Sequence, residues 1–261
     1  AGVLLAAGFP SAAETFRMEG ARLLVTTSSL ECTIEQGALT GIKDRKTGEI
    51  FSLPAAAERI AEPYGRETTI RPGPDSTCEL RSATVREATI VYGRLVNGMD
   101  GDTLELRLTA EPTGDLLIQG VLRVSDSVRL PSSVRIPVPN VATSRVILGS
   151  GAAYARSDPP IVNSAVRPAN NLYSPPVALL EGEKGCVFLR ADAFDAGQNV
   201  MIHHRTNYDT LTLISPRPDT EKDPHATPSV TWRIGTFRQW TDAARAYRAA
   251  FERVTGARPL W

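Results

Sequence analysis

Short segments in which apolar and polar residues alternate recur along most of this chain, and residues that favour turns follow each of them. The clearest segment is 103–108, in which every second residue is a leucine. Residues 30–35 alternate in the same way and are followed by Gln36 and Gly37. Successive side chains of a strand point to opposite faces, so a period of two predicts strands with one buried face. A chain patterned like this is expected to fold as packed antiparallel sheets.

The number of such segments sets the size of the expected fold. Further turn signals close the strands at residues 97–102, 112–114 and 181–185. They predict about a dozen strands or more, which exceeds the ~7 to 9 of an immunoglobulin sandwich. We therefore predict an all-β fold, a large two-sheet antiparallel β-sandwich over residues 14–236. Residues 128–139 contain three prolines, which lack the amide donor of a ladder, so this segment is expected to be an edge or a crossing strand.

Residues 237–261 follow a different period, which predicts a long helix at this end of the sequence. Five apolar residues recur at helical spacings of four and three, namely Trp240, Ala244, Tyr247, Phe251 and Val254. Thr241 is the expected N-cap, and Gly256 is expected to end the helix. Two large aromatic residues on one helical face need a surface to cover. We interpret the segment as a linker helix, with Trp240, Tyr247 and Phe251 packing against a further domain outside this chain.

The first residues and the charge balance indicate the compartment and exclude some partners. Residues 3–9 are a short apolar run, and Ser11-Ala12-Ala13 resembles a signal peptidase site. Residues 1–13 are thus predicted to be the remnant of a signal peptide, and the protein to be secreted or periplasmic. An apolar N-terminal strand is the alternative. Lys plus Arg and Asp plus Glu number 29 each, so we expect neither nucleic acid nor a membrane as a partner.

The three cysteines are Cys32, Cys78 and Cys186, and none belongs to a CxxC pair. This spacing argues against a structural zinc site. Export would permit a disulfide between Cys32 and Cys78. Because Cys32 and Cys186 lie within apolar strand patterns, buried free thiols are the favoured prediction.

No group of residues in the sequence has the spacing of a catalytic or metal site. His203 and His204 are adjacent, so on a strand they point to opposite faces and cannot share a metal. His225 lies in a charged loop that we interpret as solvated. Asp192 and Asp195 are the kind of carboxylates that act on glycosidic bonds, but a turn between two strands is the favoured interpretation. We predict no catalytic residue, no metal and no cofactor within this chain.

The segment 149–176 is rich in glycine and proline and is the longest predicted irregular stretch. A loop of that length in a compact domain is usually functional or packs on a partner. Its candidate carbohydrate contacts are Tyr154, Asn170, Asn171 and Tyr173. Packing within the loop itself is the alternative interpretation for the two tyrosines.

Two stretches of the sequence resemble a known family. The first is SLECTIEQGALTGIKD at residues 29–44, followed by TGEIF at 47–51. It resembles the opening strands of the galactose-mutarotase-like supersandwich domains that precede the catalytic barrel of several glycoside hydrolases. The second is WRIG at 232–235 with WTDAARAYR at 240–248. It is similar to the helix that links such a sandwich to its barrel, the endo-α-N-acetylgalactosaminidase type being the nearest comparison.

The resemblance implies that this chain is a non-catalytic sandwich of an O-glycosyl hydrolase and is itself inactive. Its partners would be carbohydrate and the C-terminal catalytic barrel of the same parent chain, which carries the catalytic carboxylates. Two alternatives remain open. The chain is a stand-alone carbohydrate-binding module, or it is a mutarotase-like epimerase that acts through a histidine and a glutamate within the sandwich.

Overall fold

The computed structural model confirms the all-β prediction. It describes residues 15–56, 58, 60, 69–143, 145–148, 153–155, 164–166, 177–192, 201–205, 210–216 and 223–256. Only the backbone is described for the short strands at 153–155, 164–166 and 201–205 and for residues 216 and 255. These residues form nineteen strands and one long helix. The strand pairings are antiparallel, as the alternating pattern predicts.

The strands belong to three hydrogen-bonded sheets. The five-stranded sheet contains β1 (Phe16–Glu19), β2 (Arg22–Thr26), β3 (Leu30–Glu35), β4 (Ala38–Asp44) and β5 (Ile50–Ser52) in that order. The first strands of the ten-stranded sheet are β6 (Thr77–Ala83), β7 (Glu87–Gly93), β8 (Thr103–Ala110) and β9 (Leu116–Arg123). The four-stranded sheet begins with β10 (Ser133–Val138).

The second half of the chain completes the two larger layers. The ten-stranded sheet gains β11 (Arg145–Leu148), β12 (Ala153–Ala155), β14 (Val177–Glu181), β15 (Cys186–Ala191), β18 (Ala226–Pro228) and β19 (Trp232–Phe237). The four-stranded sheet gains β13 (Ser164–Val166), β16 (Met201–Arg205) and β17 (Thr210–Pro216). The helix α1 spans Trp240–Thr255.

Strand order shows how the layers are built. The ten-stranded sheet runs β12-β11-β14-β15-β19-β9-β8-β7-β6, with β18 also paired to β9. The four-stranded sheet runs β10-β17-β16-β13. It meets the five-stranded sheet edge to edge, where Ser52 pairs with Val141 and the Ala142 amide donates to the Phe51 carbonyl at 2.9 Å. The two smaller sheets therefore form one layer opposite the ten-stranded sheet, which is the two-layer sandwich expected from the sequence.

One continuous hydrophobic core joins the three sheets. In β8 every second residue is buried, so Leu104, Leu106 and Leu108 all point inward. Burying each such leucine contributes about 2 kcal/mol. Trp232 of β19 is fully buried, and its indole Nε1 donates to the Ser215 hydroxyl at 3.2 Å. The core thus reaches from the ten-stranded sheet into the four-stranded sheet through Trp232.

A buried carboxylate fixes the loops at one end of the sandwich. Asp102 is 1% exposed and accepts hydrogen bonds from the Met99 amide at 2.8 Å, the Ser125 amide at 2.8 Å and the Ser125 hydroxyl at 2.9 Å. Burial alone raises the pKa of Asp102, but these hydrogen bonds and the charge of Arg129 outweigh it, so the pKa is lowered. Asp102 therefore joins the β7–β8 loop to the end of β9 as a carboxylate anion.

The helix packs on the outer face of the ten-stranded sheet. Tyr247 and Ala243 are buried against Phe188, and the Tyr247 and Phe188 rings meet edge to face with centroids 6.0 Å apart. Strand β15 is consequently buried on both faces, with Val187 and Leu189 in the main core and Phe188 under the helix. This double burial explains why its sequence is apolar almost throughout.

Two expectations about the helix ends have different outcomes. Gly256 ends α1 in the left-handed conformation at φ 68°, as predicted. The predicted N-cap is wrong, because the cap is Gln239 and Thr241 lies inside the first turn. Gln239 has an extended backbone and makes no side-chain capping hydrogen bond. The preference of threonine for the N-cap position therefore does not identify the first residue of this helix.

The cysteines and the proline-rich segment match their predictions. All three cysteines are free, with Cys32 and Cys186 buried. Burial raises the pKa of each of these two thiols to about 12, so both are protonated at neutral pH. Strand β10 is an edge strand, and Pro137 and Pro139 lie in it and directly after it. The described part of the chain contains no helix with the length and hydropathy of a membrane span.

Candidate functional site

The candidate site lies on the outer face of the ten-stranded sheet, where α1 covers one part and leaves another open. The covered part is apolar, since Leu179, Cys186 and Phe188 face the helix. The open part lies over β7, β8 and β9 and forms a shallow depression of about 280 Å³. Polar side chains such as Thr89, Gln119 and Thr231 line it. Charged side chains lie at the border between the two parts.

That border carries an ion-pair network of Arg190, Asp192, Arg233 and Asp115. Arg190 Nη1 lies 2.6 Å from Asp192 Oδ1. Arg233 donates through Nη2 to Asp192 Oδ2 at 2.9 Å and through Nη1 to Asp115 Oδ2 at 3.0 Å. Arg190 and Arg233 occupy opposite positions of the paired strands β15 and β19. The two carboxylates therefore offset a repulsion that the strand register imposes.

The surroundings of the two guanidinium groups differ. Burial lowers the pKa of Arg190, which is 9% exposed and lies with its guanidinium carbon 6.0 Å from the centre of the Tyr247 ring. Burial also acts to lower the pKa of Arg233, but hydrogen bonds to Asp192 and Asp115 raise it overall. Burial raises the pKa of the Tyr247 phenol to about 12. At neutral pH both arginines are cations and Tyr247 is neutral.

A glycine allows the network to form. Gly235 of β19 lies under Asp115, and a Cβ at this position would stand 2.7 Å from Asp115 Oδ1. A side chain there would move the carboxylate away from Arg233. The position is thus kept open for the network by the absence of a side chain.

Chemically, the network is suited to holding strands together. A glycosidase needs two carboxyl groups on either side of the bond to be cleaved, one of which donates a proton. Here Asp115 and Asp192 both face the same guanidinium instead. They bind β9, β15 and β19 to one another across the sheet.

A second feature is a groove of about 480 Å³ between the β14–β15 turn and the start of α1. Glu183 and Lys184 line one wall, and Arg238, Gln239 and Trp240 line the other. Trp240 is 48% exposed. Among the described residues, Trp240 is the only exposed aromatic residue, and it borders this groove.

The predicted carbohydrate contacts are mostly outside the described residues. Tyr154 lies in edge strand β12, opposite Val146 of β11, and only its backbone is described. Asn170, Asn171 and Tyr173 lie outside the described residues, so their role stays a prediction. Asp195 lies outside them as well.

The structure separates the three aromatic residues assigned to interdomain packing. Tyr247 is buried against the sheet of this domain, Phe251 is half-buried and Trp240 is half-exposed. Their contact with another domain stays a prediction. Trp232 of β19, in contrast, lies in the core.

The three histidines lie on two different elements of the fold. His203 and His204 are consecutive in β16, opposite Thr212 and Leu211 of β17. His225 lies at an exposed turn, where its Nδ1 is 3.0 Å from the Val124 carbonyl oxygen. Within the described ranges, no three potential ligand side chains gather around a point that would hold a metal ion.

Sequence inspection missed Arg190, Arg233 and Asp115. The available signal was a charged residue at 190 within an otherwise apolar strand. A charge in such a strand is expected to be paired, but the alternating pattern identifies only its face. Its neighbours Arg233 and Asp115 are far away in sequence, so nothing local points to them.

No protein-family model matches this chain, and comparison with curated proteins gives no match. Among solved structures it is similar to an alpha-mannosidase from Enterococcus faecalis V583, with 10% sequence identity and a TM-score of 0.42. The match covers 90% of this chain and 32% of the mannosidase chain, so this chain spans about a third of that protein. A similarity this distant carries no conclusion about function.

Proposed function

We propose that this chain is a non-catalytic β-sandwich domain of an exported carbohydrate-active enzyme. In this proposal a catalytic barrel of the same parent chain packs on the sandwich and performs the glycoside hydrolysis. The sandwich supports the barrel and edges its substrate cleft.

The observation that carries the proposal is the ion-pair network. The acidic groups Asp115 and Asp192 on the open outer face are bound to guanidinium groups, which suits a role in stability. The carbohydrate class comes from the resemblance of residues 29–51 and 232–248 to supersandwich domains. The exposed part of α1 around Val254 is the proposed contact with the barrel.

The first test measures the activity of the purified chain. Polarimetry with freshly dissolved α-D-galactose should give the mutarotation rate of buffer alone, and aryl glycosides should not be hydrolysed. An accelerated rate that disappears in His203→Ala or His204→Ala would show an epimerase and overturn the proposal.

The second test examines the parent gene. The reading frame is expected to continue into alternating strands and helices that form a barrel. A stop codon shortly after Trp261 would contradict the proposal and favour the stand-alone binding module.

A further inference from the structure

We propose that the groove between the β14–β15 turn and the start of α1 binds a pyranose ring stacked on Trp240. The inference rests on the proposed function for the choice of a sugar, and it places the point where the sandwich edges the substrate cleft.

The first argument is the state of Trp240. It is the first residue of α1, yet the contact of the helix with the sheet is made by Ala243 and Tyr247. Trp240 keeps 48% of its surface exposed at the border of the groove. An indole presents a flat apolar face next to a polar edge, which matches the alternating C–H face and hydroxyl rim of a pyranose.

The second argument is the polar lining. The side chains of Glu183, Lys184, Arg238 and Gln239 border the groove, and within the described part of the chain none of them has an intramolecular partner. Glu181, at the same turn, differs because it is paired with Arg145 at 2.6 Å. Together the four side chains offer donors and acceptors in close proximity, as a polyol requires.

The same lining argues against a protein segment as the occupant. The centre of a protein–protein contact is depleted of charged residues and enriched in apolar ones. Here one aromatic residue stands among four charged side chains and an amide. A single ring with hydroxyls fits this composition better than an apolar protein surface.

The third argument is that the wall of the groove is already ordered. The carboxylate of Glu49, from the β4–β5 turn, accepts hydrogen bonds from the amides of Glu183 and Lys184, the latter at 3.1 Å. A Cβ on Gly182 would collide with this carboxylate, so the turn is fitted to it. A preformed wall reduces the ordering cost of binding.

The experiment uses the 261-residue chain and four methyl glycosides as probes: α-galactoside, α-N-acetylgalactosaminide, α-mannoside and β-glucuronide. Saturation-transfer NMR and tryptophan fluorescence report binding. A one-ring ligand is expected to bind with a Kd in roughly the millimolar range. The glucuronide arm tests the cations Lys184 and Arg238, and the neutral arms test stacking alone.

Trp240→Ala is expected to weaken binding at least about tenfold, whereas Trp240→Phe keeps a ring and stays within a few-fold of wild type. If Trp240→Ala proves unstable, Gln239→Ala gives a second test and is expected to weaken binding by a factor of about three. Tyr247→Phe, away from the groove, is the matched control and should bind normally.

Two results would overturn the inference. One is the absence of binding for all four probes at concentrations well above the millimolar range. The other is binding that Trp240→Ala leaves unchanged. Neither result touches the proposed function, which fails instead if the chain turns over a sugar.

Discussion

Truncating Tyr247 tests whether α1 is an integral part of the sandwich. Tyr247 is 5% exposed, and its ring meets Phe188 at an interplanar angle of 89°. Truncation of a buried aromatic residue to alanine costs about 3–5 kcal/mol, of which the aromatic pair accounts for about 1. Because α1 lies at the surface and can adjust, we expect Tyr247→Ala to lose about 3 kcal/mol. This is more than a hundredfold change in the ratio of folded to unfolded protein, since about 1.4 kcal/mol is tenfold.

The assay is urea unfolding followed by far-ultraviolet circular dichroism and by tryptophan fluorescence. Trp240→Ala is the matched control on the same helix, and its half-exposed ring should cost about 1 kcal/mol or less. Both probes are expected to report one transition with an unchanged slope.

Either of two outcomes would refute this reasoning. One is a free energy of unfolding for Tyr247→Ala that lies within about 0.5 kcal/mol of the wild-type value, which is the usual range for surface substitutions. The other is an early loss of helical signal while the sandwich transition stays in place. The second would mean that α1 is held as a separate unit.

Two further substitutions test the buried polar contacts. Asp102→Asn places an amide nitrogen against the donors of Met99 or Ser125, so about 2 kcal/mol should be lost at pH 7. The pKa of Asp102 is lowered on folding, so its stabilisation is complete above about pH 5 and is lost as the pH falls through the folded pKa. Urea titrations at a series of pH values should therefore show that the difference in free energy of unfolding between variant and wild type becomes smaller below about pH 4. A difference that stays constant at lower pH would contradict the assignment. Gly235→Ala brings a methyl group to 2.7 Å from Asp115 and should lower the free energy of unfolding by about 1–3 kcal/mol in the same assay. An unchanged free energy of unfolding would show that Asp115 has room to move.

The sheets were predictable because their signal is local. Residues 103–108 alternate, and the structure has β8 at Thr103–Ala110. The prolines around β10 indicated a strand at an edge because proline has no amide donor for a hydrogen bond to a neighbouring strand. The helix start was placed two residues late because Gln239 makes no side-chain cap, so no residue preference marks it.

The candidate site was less predictable because its contacts are not local. Arg233 is 118 residues from Asp115 and 41 from Asp192. A period of two identifies the face of each side chain but not its partner across the sheet. The helix face was also shifted, since the deepest burial is at Ala243 and Tyr247 and Val254 remains 64% exposed. The contact with Phe188 sets the orientation of the helix, and helical spacing alone does not predict this contact.

The position of β19 has a consequence for how the chain folds during synthesis. This strand lies between β15 and β9, although it follows all the other strands of the three described sheets in the sequence. Until the ribosome has released it, the large sheet exists as two halves, each with an open edge beside the gap. Such edges are templates for pairing with other chains, and closing a gap between distant segments is slow. Nascent chains should therefore be most prone to aggregate just before residues 232–237 emerge, and ribosome-bound intermediates stalled upstream of this strand should recruit chaperones.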